Sequence, residues 1–173
     1  MIHVDPLPGT PKYTPPFSSI VVKAIREALL YKKAGIDVIG LENMHDVPYL
    51  KQQAGPEIVA AMAVVAYEVK NTTGLPCGIQ ILAGANREAL SVALAAGLDF
   101  IRAEGFIFAH IADEGIMDGC AGELLRYRRQ IGADKISIFT DIKKKHSSHS
   151  ITEDIDIAET AYTAAFFLSD GVI

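Results

Sequence analysis

The sequence predicts an α/β fold of the TIM (β/α)8-barrel class in incomplete form, with about five βα units and the opening of a sixth strand. Three observations carry that expectation. Short apolar runs end in charge: Val38-Ile39-Gly40-Leu41-Glu42-Asn43, Phe100-Ile101-Arg102-Ala103-Glu104 and Ile136 to Lys143. A strand covered on both faces is apolar, so charge at its C-terminal end needs water or a ligand beside it, as at the active rim of a barrel. Helical patterns alternate with these runs, the order that builds a parallel sheet. No Gly-x-Gly-x-x-Gly follows a strand, which weighs against the competing doubly wound sheet.

Ile2 to Val4 is a short apolar start that can end a first strand. Asp5 to Phe17 holds Pro6, Pro8, Pro11, Pro15 and Pro16, which forbids a helix and favours a stiff extended loop. Ser18 or Ser19 can cap the next helix, whose apolar Val21, Ala24, Ile25, Ala28 and Leu29 recur at three and four until Gly35 ends it. A second strand covers about 37–43. Pro56 opens an Ala/Val-rich helix that ends before Gly74. The third strand is 77–82. Asn86 is the expected cap of a helix to Ala96, closed by Gly97. The fourth strand is 100–105, and 106–119 is a longer segment with turn signals at Asp113-Glu114-Gly115 and Asp118-Gly119. A helix over 121–131 and a strand over 135–142 follow. Thr152-Glu153-Asp154 makes an acidic helix start, and the helix runs to about Phe167. Asp170 to Ile173 reads as the opening of a sixth strand. The expectation is therefore one domain, 1–173, that is a portion of a longer barrel, with open edges that make it unstable alone.

Half of the 173 residues are hydrophobic, so the chain can bury a core and disorder is not expected. A net charge of −5 argues against a general nucleic-acid binder. No run reaches the length of a membrane span. Cys77 and Cys120 have no zinc or redox spacing, which fits free thiols in a reducing compartment. The N-terminus is neither a secretory signal nor an Arg-rich transit peptide. An intracellular location follows, cytoplasmic or organellar, mitochondrial if the true N-terminus lies elsewhere. Arg126-Tyr127-Arg128-Arg129 reads as a solvated helix end. Lys143-Lys144-Lys145-His146 follows a strand and is either a solvated face or an anion site.

Strand side chains alternate between two faces. One parity gathers His3 and Asp5, Glu42, Gln80, Arg102 and Glu104, Asp141 and Lys143. The other gives Ile39, Leu41, Ile79, Ile81, Ile101, Ala103 and Ile138, which pack against helices. The polar set is expected at the C-terminal rim. Asp5, Glu42, Glu104 and Asp141 suit general acid or base roles. Lys143 or Lys145 suits carbonyl polarisation, phosphate holding or Schiff-base formation. His3 and His146 suit proton transfer or metal binding, and carboxylates with His can hold a divalent cation. The bland alternative is that Arg102 with Glu104, and Asp141 with Lys143, merely pair inside the fold. His45, His110 and His149 have no informative context, and Asp113-Glu114-Gly115 reads as a turn rather than a metal loop.

Several stretches resemble the BtpA/SgcQ family: Pro8-Gly9-Thr10-Pro11, Glu42-Asn43 with Asp46 and Pro48, Asp113 to Gly119 followed by Glu123 to Arg129, and Asp141 with Lys145-His146. The resemblance covers the whole chain. It implies a TIM barrel akin to the ribulose-phosphate-binding barrels, in a family associated with photosystem I biogenesis and, in other members, with sugar metabolism of unassigned activity. It implies Glu42, Asn43, Asp113, Asp141, Lys145 and His146 as site residues; alternation, not the resemblance, adds His3, Asp5, Gln80 and Arg102 as substrate-lining candidates. It implies a continuation past Ile173. Ala109-His110-Ile111 and Gln80 depart from the family pattern. Two functions follow as expectations. One is an isomerase, epimerase or lyase acting on a phosphorylated sugar-like molecule. The other is a non-catalytic assembly factor. In either case the fragment alone is expected to be inactive.

Overall fold

The computed structural model describes residues 1–173. Six short strands form one parallel sheet: β1 (Ile2–His3), β2 (Ile39–Glu42), β3 (Cys77–Gln80), β4 (Phe100–Ala103), β7 (Ser137–Thr140) and β8 (Gly171–Val172). β5 (His110–Ala112) and β6 (Gly115–Met117) form a separate antiparallel hairpin. The helices are α1 (Phe17–Lys33), α2 (Pro56–Thr73), α3 (Asn86–Ala96), α4 (Ala121–Gln130) and α5 (Ile157–Phe166). The sheet order is β1-β2-β3-β4-β7-β8, the order of the chain itself. A doubly wound sheet reverses its order at a switch point; this one does not.

The register puts one parity of each strand under the helices. Leu41 pairs with Ile79, Ile79 with Ile101, and Ile101 with Ile138, and all four belong to a cluster of 32 buried apolar residues. α2 is apolar on several sides because it packs against both α1 and α3; Met62, Val65, Ala66 and Val69 are fully covered. On the opposite face, glycines lie beside aromatic rings. A side chain at Gly78 would overlap the ring of Phe100, its register partner. One at Gly171 would meet the Phe139 ring. Phe100 and Phe139 pack edge to face, 5.4 Å apart.

The proline-rich segment 5–16 forms no helix or strand. Several local expectations are corrected. Pro16 caps α1, and the Ser19 hydroxyl donates back to the Pro16 carbonyl at 2.7 Å. Residues 150–152 form a 3-10 turn, and α5 begins only at Ile157. Its cap is Asp156, whose carboxylate accepts from the Glu159 N–H at 2.7 Å. Asn86 is the first residue of α3 rather than its cap, and its side chain does other work described below. Cys77 and Cys120 are free. No helix is long and apolar enough to cross a membrane.

Candidate functional site

Parallel pairing brings the C-terminal ends of β2, β3, β4 and β7 side by side, so groups one residue past or at each end share a mouth. Glu42 ends β2 and stands opposite Gln80 at the end of β3. Arg102 on β4 stands opposite Phe139, and its Nε donates to Asp141 Oδ1 at 2.9 Å, just beyond β7. Glu104, 1% exposed, pairs with the Lys144 ammonium. His3 Nε2 lies 3.4 Å from Glu42 Oε2. Glu42, Gln80, Arg102, Glu104 and Asp141 thus converge, as alternation requires.

The electrostatics are those of a half-desolvated charge cluster. Burial holds the Glu42 carboxyl above the ordinary carboxylate range, His3 and Arg102 pull it down, and Asp141 and Glu104 push it up. Tyr49, on the loop after β2, is raised by burial and by the field of Glu42, Glu114, Asp46 and Glu104. Its hydroxyl donates to the Met44 carbonyl at 2.6 Å. The amide oxygen of Gln80 is buried without a hydrogen-bond partner, and an unpaired buried acceptor costs about 1–3 kcal/mol.

Glu104 is held by a residue whose sequence signal was misleading. The Asn86 amide donates to the Glu104 carbonyl at 2.7 Å and accepts from the Glu104 N–H at 3.2 Å. Asn86 acts as a strand partner for the last residue of the β4 run, which explains why α3 starts without a side-chain cap.

Other expected residues fall elsewhere. Asn43 is a latch: its amide donates to Asp46 Oδ2 at 2.9 Å and its oxygen accepts from the Leu82 N–H at 2.8 Å. Asp46 in turn accepts from the Leu7 N–H at 2.8 Å, and burial raises its carboxyl. Together they knit three rim loops. Asp5 pairs with Lys23 of α1 at 2.6 Å. Asp113 is exposed at the turn of the β5–β6 hairpin. Lys143 points its ammonium at the Thr152 carbonyl, 2.9 Å away. Lys145 and His146 are exposed.

The lysine at the mouth is Lys144, which alternation does not select. Regular strand geometry ends at Thr140, and Lys143 has φ of 46°, so the period of two breaks before the lysines. His110 was also missed. It is buried on the hairpin, which the Ile111 and Ser148 backbones bind to the loop after β7 at 3.0 and 2.8 Å. No three His, Cys, Asp or Glu side chains come together in a way that could hold a metal ion.

A consecutive parallel sheet backed by helices, with ionisable groups gathered at its C-terminal edge, defines an α/β protein of the kind that carries sites on its strand ends. The BtpA family model matches residues 1–173. The chain belongs to the BtpA family. It is 56% identical over 178 residues to an uncharacterised mitochondrial protein of Caenorhabditis elegans, covering all of this chain and 64% of the worm protein. It is 39% identical over 173 residues to an uncharacterised protein of Archaeoglobus fulgidus, of which 68% is covered. It is 32% identical over 173 residues to the photosystem I biogenesis protein BtpA of Synechocystis, covering all of this chain and 60% of that protein. The chain thus spans somewhat under two thirds of the worm and cyanobacterial relatives.

Proposed function

We propose that the six strands are part of an eight-stranded (β/α) barrel and that the mouth is an active site for a small, phosphorylated sugar-like substrate, with isomerase, epimerase or lyase chemistry. The consecutive parallel order supports the barrel, as does the greater length of the relatives. The observation that carries the reading is the convergence of Glu42, Gln80, Arg102, Glu104, Asp141 and Lys144, with the Gln80 oxygen left without a partner. Gathering ionisable groups in a half-buried place carries a desolvation cost that their ion pairs offset only in part, which favours a use for them.

In this reading Glu42 or Asp141 removes a proton next to the substrate carbonyl, and Lys144 with Arg102 stabilises the negative oxygen that results. Burial makes Glu42 a better base than an ordinary carboxylate. His3 passes the proton on, and Gln80 accepts from a substrate hydroxyl. Lys145 and His146, exposed on the loop that carries Lys144, meet a phosphate reaching outward, and Lys143 holds that loop through Thr152. Asn43 and Asp5 support the rim, and Asp113 sits on the hairpin beside it. The name of the worm relative makes a mitochondrial compartment part of the proposal.

Calorimetric titration with a panel of ketose and aldose phosphates tests it. Binding by the full-length barrel that Asp141→Asn abolishes, with the melting transition retained, is the expected result. No binding of any phosphorylated sugar to the folded chain or to a full-length relative refutes it. The second reading, an assembly factor, draws on the name of the cyanobacterial relative and on the exposed apolar surface at Tyr162, Phe166 and Leu168. It expects function to survive mutation of the mouth and to fail on mutation of that surface.

A further inference from the structure

His110 stands out among the buried polar groups. It is 6% exposed, and its Nε2 has no hydrogen-bond partner. An unpaired buried N–H or lone pair costs about 1–3 kcal/mol, so the position is retained at a cost unless something meets it. His110 lines a cavity of about 20 Å³ together with Asp141, Lys143, Lys144, His149 and Thr152. That is room for a single oxygen-sized group. Through Asp141 and Lys144 this cavity adjoins the mouth, since the first pairs with Arg102 and the second with Glu104.

The side chains around the ring decide what that group is. The cavity is lined by two lysines, Lys143 and Lys144, the second imidazole, His149, and one carboxylate, Asp141. Lys144 is paired with Glu104, Lys143 meets the Thr152 carbonyl and Asp141 is bound to Arg102, so each charge is already matched and the lysines keep further N–H donors for an oxygen. His149 packs on His110 with ring centres 5.5 Å apart, and its Nε2 lies 3.0 Å from the Lys144 carbonyl. An oxygen carrying partial or full negative charge is favoured in such a place. Burial, Lys144 and His149 push the His110 pKa down to about 4, so the ring is neutral at pH 7. A neutral imidazole can donate one N–H to a carbonyl, and in isomerase chemistry such a histidine polarises the carbonyl without giving up its proton.

We infer that His110 Nε2–H donates a hydrogen bond to the substrate's carbonyl or enediolate oxygen, beside the Lys144 ammonium. The inference rests on the reading of the mouth given above and assigns the oxygen-binding half of that site. It places the β5–β6 hairpin in the chemistry: the hairpin carries the donor, and its backbone bonds to Ser148 set the donor's place relative to the lysine loop.

The test uses the 173-residue chain with 15N-labelled histidine and 2-phosphoglycolate, whose carboxylate resembles a planar enediolate, as the probe. The expected results are a neutral His110 with its proton on Nε2 at pH 7, a shift of that resonance on adding the probe, and loss of about tenfold or more in affinity for His110→Phe. His110→Gln, which keeps an amide donor, retains affinity within a few-fold. A proton on Nδ1 instead of Nε2 overturns the inference whether or not the probe binds, and this wild-type measurement stands even if His110→Phe fails to fold. Equal affinity of His110→Phe and wild type overturns it while leaving the mouth as a binding site. No binding of the probe or of any sugar phosphate to the wild-type chain overturns both the inference and the function it rests on.

Discussion

Replacing Lys144 with Met should destabilise the chain by about 3 kcal/mol at pH 7. The magnitude follows from the partner. Glu104 is 1% exposed, its one ion-pair partner is the Lys144 ammonium, and its backbone is held in place by Asn86. Removing one member of a buried pair costs about 3–5 kcal/mol because a desolvated charge is left behind. The Lys144 side chain is 21% exposed, so water reaches its end of the pair and the lower part of that range applies. Urea unfolding followed by circular dichroism measures the loss. In Glu104→Gln the uncompensated charge is removed instead, so the double variant Lys144→Met with Glu104→Gln should recover at least half of the loss. A Lys144→Met variant within about 0.5 kcal/mol of wild type, with no coupling in the cycle, would show that the pair does not hold in solution.

Glu42→Gln tests the raised carboxyl. A folded-state pKa above the ordinary value contributes stability that is full below the unfolded pKa, 4.5, and is lost as pH rises through the folded value. Glu42→Gln should therefore raise the melting temperature relative to wild type at pH 8, and the difference should shrink towards pH 4.5; an unchanging difference contradicts the assignment. Asn86→Ala leaves the buried Glu104 N–H and carbonyl without their partner and should cost about 2–4 kcal/mol in urea unfolding. Gly78→Ala forces a methyl into the Phe100 ring and should cost about 1–3 kcal/mol, with partial recovery on adding Phe100→Leu. Both are read by the same denaturation assay.

The sheet and much of the mouth were legible in the sequence for one reason: their residues lie in regular strands, where a period of two assigns faces. Glu42, Gln80 and Arg102 needed no more than that, and the apolar parity of Ile39, Leu41, Ile79 and Ile101 went to the core for the same reason. Legibility ends where φ leaves the extended region. At Lys143 the backbone turns into the left-handed region, and the lysine that meets Glu104 becomes Lys144. The β5–β6 hairpin was hidden because strands of three residues carry no readable period, and His110 was hidden with it. Asn86 and Asn43 mislead in another way. Asparagine suits a helix cap and a ligand contact equally well, and only the fold shows that Asn86 clamps Glu104 and that Asn43 joins Asp46 to Leu82. The glycine and phenylalanine pairs on the face opposite the apolar parity are invisible without the register that sets Gly78 against Phe100.

Side chains from successive strand ends are proposed to act together on one small ligand. The direct measurement is an NMR titration of the labelled chain with ribulose 5-phosphate, following the Gln80 side-chain amide, the Arg102 Nε–H and the Lys144 side chain together. All three should shift with a single dissociation constant. Shifts confined to exposed groups such as Lys145 and His146, with Gln80 and Arg102 unmoved at saturation, would contradict it.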